Sequence, residues 1–236
     1  MSDEEIPIES SNNEDPDDDE VVLDDGDNMD IQVPEAENYQ VQIVEQGEPK
    51  DEILTELKER YKPSNAGELR LIQDLKSIKS MPAKDLGFSA EPYQGQLSTW
   101  EIHYFGFEPK DSIYPDIQKY KQLTGKDYIK FMVHFPPDYP IRPPFVRVVE
   151  PRFQMHTGRI TVGGSICADI LTMNGWNPSY DVSSCFSNIF AEIISQDPKI
   201  DFQNKVPYSK SEAFSAYIRV AKFHGWKPSD FDPNTN

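Results

Sequence analysis

Among 236 residues only two are cysteines, Cys167 and Cys185. Cys167 follows the glycine pair Gly163-Gly164 and precedes the apolar Ile170-Leu171, with His156 eleven residues before it and Asp169 two after it. A thiolate is a nucleophile that also leaves well, so a reachable Cys167 suits acyl transfer in which a thioester forms and is then broken. The glycines admit positive φ and close backbone approach, which would hold Ser165, Ile166 and Cys167 in a shallow open turn. Free cysteine usually behaves as a small, buried, inert hydrophobe, and spacing alone favours that reading of Cys167. A cysteine hydrolase pairing Cys167 with His156 is a third chemistry, although no orienting third residue stands out.

Longer strings of residues narrow the choice. His156-Thr157-Gly158, then Gly164-Ser165-Ile166-Cys167-Ala168-Asp169-Ile170-Leu171, then Gly175-Trp176-Asn177-Pro178 resembles the active-site segment of ubiquitin-conjugating enzymes. Upstream, His134-Phe135-Pro136-Pro137-Asp138-Tyr139-Pro140-Ile141-Arg142-Pro143-Pro144 is similar to a second signature of that family, in the right order. The family's His-Pro-Asn, ten residues before its cysteine, is replaced here, and the pattern looks most like the Q-type branch. Gly158 carries no side chain to take the asparagine's part in holding the loop or stabilising an oxyanion. An asparagine-free loop would relax the choice of acceptor.

The resemblance implies a ubiquitin-conjugating enzyme that takes ubiquitin from an activating enzyme as a thioester on Cys167. It would pass the modifier to a substrate nucleophile, usually lysine, with a RING or HECT ligase, in an ATP-dependent pathway and without a cofactor or metal of its own. It assigns His156 to loop structure and Asp169 to acceptor activation, since a lysine of pKa ~10.4 needs a carboxylate or desolvation to attack at neutral pH. Asp169 is equally readable as a turn-forming surface residue. Arg70, Lys76 and Lys79 become candidates for docking the activating enzyme, and Ile141, Pro178 and Ser179 for docking a ligase. A non-catalytic scaffold of the same fold is the main alternative, and a cysteine hydrolase the lesser one.

The elements that would position these groups are legible in part. Asn65 and Glu68 have capping-box spacing ahead of Leu71, Ile72, Leu75 and Ile78, which predicts a helix ending at Met81-Pro82. Strand-like runs follow at 87–93, 98–107, 128–135 and 145–149, with Trp100, Ile102 and Tyr104 alternating against Glu101 and His103. Residues 113–126 contain Pro115 and Gly125 and read as an exposed insertion between strands. Val182, Phe186, Ile189, Phe190 and Ile193 mark a central helix capped by Asp181, with Cys185 in or near the core. Asp197 is a further carboxylate bordering the site. Ser209 and Glu212 open a last helix, apolar at Phe214, Tyr217, Ile218 and Ala221, that stops at Gly225. The order is α+β: an amino-terminal helix, a four-stranded antiparallel meander, then central and carboxy-terminal helices, matching the family fold over residues 63–228.

Charge divides the chain. Residues 1–60 hold 22 acidic and 3 basic side chains, so the net charge of -18 belongs to this end. Residues 1–50 read as an acidic disordered tail, 51–62 as a linker or short extra helix, where Ile53, Leu54, Leu57 and Tyr61 recur at helical spacing, and 229–236 as a short tail. Val21-Val22-Leu23, followed by Asp24-Asp25, is similar to motifs that add as an edge strand to a ubiquitin-like modifier, and reads as well as a solvated acidic run. Without a basic surplus, nucleic-acid binding is not expected. No apolar run approaches the ~20 residues of a membrane span, and a cytoplasmic or nuclear location is expected.

Overall fold

Helix α1 (Glu52–Tyr61) starts where the Asp51 carboxylate accepts the Leu54 N–H, and ends at Lys62 in the left-handed region. The structure is a computed structural model that describes residues 51–225. The acidic segment 1–50 with Val21-Val22-Leu23, and the end 226–236, lie outside the described residues. Leu57 is buried, and α1 packs against α2 (Ala66–Lys79), so the stretch at 51–62 is a helix. In α2 the Asn65 side chain accepts from the Glu68 N–H as predicted. The Glu68 carboxylate reaches one residue further back than a capping box requires, to the Ser64 N–H and hydroxyl.

After the single turn α3 (Ala83–Leu86) come β1 (Phe88–Pro92) and β2 (Thr99–Tyr104). Helix α4 (Tyr114–Thr124) intervenes before β3 (Ile129–His134) and β4 (Phe145–Glu150). The strands pair antiparallel in chain order. Trp100 and Ile102 are fully buried, while Glu101 on the other face of β2 binds Lys130 and His103.

The segment at 113–126 is not an exposed insertion: α4 buries Ile117 and Tyr120, and Ile113 just before it is wholly enclosed. Asp116 on this helix accepts the Ile200 N–H, tying it to the loop after the central helix.

Helix α5 (Val182–Ser195) crosses one sheet face, capped by Asp181 through the Ser184 N–H. Its Phe186 and Phe190 meet Phe88 and Phe131 with ring centroids 5.5–6.4 Å apart. Cys185 is buried, and burial pushes its thiol up to about 12, which suits a core residue and no nucleophile.

Helix α6 (Lys210–His224) opens on a reciprocal box between Ser209 and Glu212 and closes at Gly225. Its innermost residues are Ala213, Ala216 and Ala221, with Phe214 and Tyr217 packed at the rim against Phe145. Small side chains let this helix lie close to the backbone beneath it.

Candidate active site

β4 leaves an open edge, and the chain returns to cover it. The Ile166 N–H donates to the Val146 carbonyl (3.1 Å), and the Val148 N–H to that of Gly164 (2.7 Å). Residues 164–166 thus act as a short outer strand, folded back on 159–161 in a hairpin. Ile160 pairs with Ile166, the Thr161 N–H donates to the Ser165 carbonyl (2.9 Å), and the Cys167 N–H donates to the Arg159 carbonyl (2.9 Å). The Thr161 and Ser165 hydroxyls share a 2.7 Å hydrogen bond, and both isoleucines point into the core.

The two glycines of the hairpin turn are there for packing. Gly164 has φ 91°, and a Cβ on it would meet the Tyr208 ring at 2.6 Å. A Cβ on Gly163 would run into the Glu212 carbonyl and Ala216, so α6 rests directly on the turn. The turn end is sealed, and the Cys167 end is open. Cys167 is half-buried at the edge of a groove of about 540 Å³ lined by the 155–162 loop and by Ala216, Arg219 and Val220 of α6.

His156 lines this groove at φ 64°, exposed. Among the described residues its ring makes no hydrogen bond, either to Cys167 or within its own loop. The loop is held instead by Thr157, whose hydroxyl donates to the Gln154 carbonyl and accepts the Lys199 N–H, and by the Gly158 N–H on the Gln196 carbonyl. The loop role expected of His156 therefore falls to its neighbour. Gly158 (φ 63°) packs so closely that a Cβ would meet Pro198 at 2.8 Å, which excludes any side chain there without movement.

Burial pushes the Cys167 thiol above its ordinary range; the Arg159 guanidinium draws it back, and Asp169 and Glu192 add to the rise. Asp169 is exposed, in a 3-10 turn two residues from the thiol. Asp181 is a helix cap, and Asp197 is paired with Lys199. Arg159 and Glu192 escaped the reading of the sequence. Arg159 comes beside Cys167 only through the hairpin register, and Glu192 sits on a helix whose orientation follows from the aromatic core.

The sequence profile of the ubiquitin-conjugating enzymes matches residues 70–220. The chain belongs to this family. Ubiquitin-conjugating enzyme E2 Q1 of Homo sapiens is 30% identical over 162 residues, covering 66% of this chain and 38% of that protein, so the chain spans well under half of the relative's length. A shorter Q-like ubiquitin-conjugating protein of the same species is 26% identical over 148 residues, 60% of this chain and 88% of the relative. These names place the chain near the Q branch. Among solved structures, human E2 G1 is 23% identical, with a TM-score of 0.42 over 54% of this chain and 94% of that one.

The side chains a ubiquitin-conjugating enzyme is expected to offer its partners are placed as follows. Ile141, 62% exposed, and the exposed Pro178 and Ser179 lie on two loops joined by the Trp176 indole N–H, which donates to the Pro140 carbonyl at 2.7 Å. All three basic residues of α2 are engaged within the chain. Lys79 pairs with Glu91, and Lys76 with Asp51. The Arg70 guanidinium binds Asp74 at 3.0 Å and donates to the carbonyls of Pro178, Ser179 and Tyr180. Arg70 therefore clamps α2 to the Pro178 loop.

Proposed function

We propose that this protein carries ubiquitin as a thioester on Cys167 and transfers it to a substrate amine. The observation that carries the reading is the placement of Cys167: the one half-exposed thiol among the described residues, at the open end of a hairpin seated on the sheet edge, on the wall of a groove of about 540 Å³. Cys185, walled into the core, offers no competing nucleophile. Asp169 and Glu192 set negative charge near the thiol, which disfavours the thiolate and attracts an approaching ammonium. A hydrolase mechanism gains no support, because His156 makes no hydrogen bond to Cys167.

Activating-enzyme docking on α2 would proceed by exchange of its internal ion pairs, most readily at Lys76 and Lys79, whose partners are at the surface. Ile141, Pro178 and Ser179 are the surface offered to a RING or HECT ligase. Ile141 offers a ligase less apolar area, at ~25 cal/mol per Å², than the phenylalanine often found at this position in the family, so the set of ligases that bind differs.

The test is thioester charging with activating enzyme, ubiquitin and ATP, read on gels with and without reductant. An adduct that reductant removes and Cys167→Ala abolishes is expected. Absence of any adduct with ubiquitin or related modifiers, from folded protein and with a working control enzyme, would leave a scaffold role as the better account. The charged protein, offered free lysine, serine or threonine, reports the acceptor class.

A further inference from the structure

Arg159 sits across from the nucleophile. With Ile160 paired to Ile166, the register sets Arg159 directly opposite Cys167, and the Cys167 N–H closes the pair on the Arg159 carbonyl at 2.9 Å. Residues directly opposite in an antiparallel pair have Cβ atoms about 4.5–5.5 Å apart on one face. Here both line the groove, while the adjacent Ile160 and Ile166 are buried. Arg70, Arg142 and Arg152 are each tied to a carboxylate. Arg159, by contrast, is exposed, and among the described residues its guanidinium has no hydrogen-bond or ion-pair partner. Its backbone is in the left-handed region at φ 56°.

We propose that Arg159 is a catalytic residue whose guanidinium stabilises the charge that develops on the thioester carbonyl oxygen during transfer. The inference rests on the thioester reading above. In the step concerned, the lone pair of a neutral amine forms a C–N bond to the thioester carbon, and the C=O pair moves onto oxygen. On collapse the C=O bond re-forms, the C–S bond breaks with its electron pair leaving on the Cys167 Sγ, and the amine's surplus proton passes to water. Negative charge appears first on oxygen and then on sulfur, both beside Arg159. A guanidinium stays charged at any working pH and presents several donors in a planar fork. Gly158, next in the chain, has no side chain for this task, and the His156 ring is held by no hydrogen bond that would aim it.

The experiment charges the full-length protein with ubiquitin, stops charging, and follows single-turnover discharge to free lysine. The variants are Arg159→Ala, Arg159→Gly and Arg159→Lys, with Lys121→Ala on α4 as a charge control. Losing one oxyanion donor typically slows the reaction ~10²–10³-fold; at this solvent-exposed position ~10–100-fold is expected for Ala and Gly, with partial rescue by Lys. Glycine adopts φ 56° freely, so slowing by Ala that Gly reverses would assign the effect to backbone strain and overturn the proposal. Discharge within about twofold of wild type in both variants would overturn it as well. Independently of charging, the pH profile of Cys167 alkylation should move upward in both variants, and an unmoved profile would count against a guanidinium at the thiol. Failure of the wild-type protein to charge would instead overturn the thioester reading itself.

Discussion

Replacing Arg70 by alanine should destabilise the protein in a pH-dependent way. Asp74 is buried to 4% exposure, and its carboxylate has two partners, the Arg70 guanidinium at 3.0 Å and the Tyr139 hydroxyl at 2.9 Å. Burial already holds the Asp74 carboxyl above its ordinary range, against the pull of these two partners. Breaking a fully buried ion pair costs about 3–5 kcal/mol, because the remaining charge is stranded. The Arg70 side chain is 24% exposed, so the lower end applies, and its hydrogen bonds to the carbonyls at 178–180 are solvent-accessible and add little. We expect a loss of about 3 kcal/mol at pH 8, or ~6–12 °C in Tm at ~2–4 °C per kcal/mol for a domain of this size.

In the variant the Asp74 carboxyl rises further. A folded-state pKa above the unfolded one favours the folded state at low pH, and that advantage is lost as pH climbs through the folded value. The gap from wild type should therefore narrow on going from pH 8 to pH 5. Adding Asp74→Asn should restore part of the stability, because no charge is then left buried. Thermal and urea unfolding of the wild type, both single variants and the double variant at both pH values provide the measurement. A Tm loss below ~2 °C, or an equal loss at both pH values, would refute the reasoning.

Asp169→Asn and Glu192→Gln should each shift the Cys167 alkylation profile to lower pH, since both carboxylates disfavour the thiolate; an upward shift would contradict their placement. Gly158→Asn, which restores the family's usual residue type near this position, should lower Tm by several degrees and slow charging, because its Cβ meets Pro198. Trp176→Phe removes the 2.7 Å bond to the Pro140 carbonyl, worth ~1 kcal/mol. Its larger effect should be weaker capture by a RING domain in pull-down, with Cys167 charging unchanged.

Signals carried by a few adjacent residues were legible in the chain. The Ser209–Glu212 box and the Asp181 cap act over three residues, and both form as expected. The alternation at Trp100 and Ile102 predicted a buried face because a strand has period two. Helix α4 was misread through its own boundary markers. Pro115 lies in the first turn, where a missing N–H removes nothing, and Gly125 at φ 78° donates to the Lys121 carbonyl as a helix stop. The two residues that suggested an irregular insertion are the start and end of a helix whose buried Ile113, Ile117 and Tyr120 follow helical spacing.

Cys167 could be singled out because its glycines and flanking motif are contiguous. Arg159 could not, since its relation to the thiol depends on the register of the hairpin. Nor could the engagement of Arg70, Lys76 and Lys79, whose acidic or carbonyl partners include groups from distant parts of the chain. The anchoring of the loop by Thr157 rather than His156 likewise depends on Lys199, which the fold brings back from 42 residues away.

The seating of α6 on the Gly163 turn has a consequence for the growing polypeptide. The nucleophile leaves the ribosome well ahead of Glu212 and Ala216, which rest on its turn. For that interval the thiol exists without the wall that completes its groove. A nascent chain halted before residue 210 should hold a hairpin open to solvent at both ends, and should acquire the capacity to be charged only after the final helix has emerged and docked.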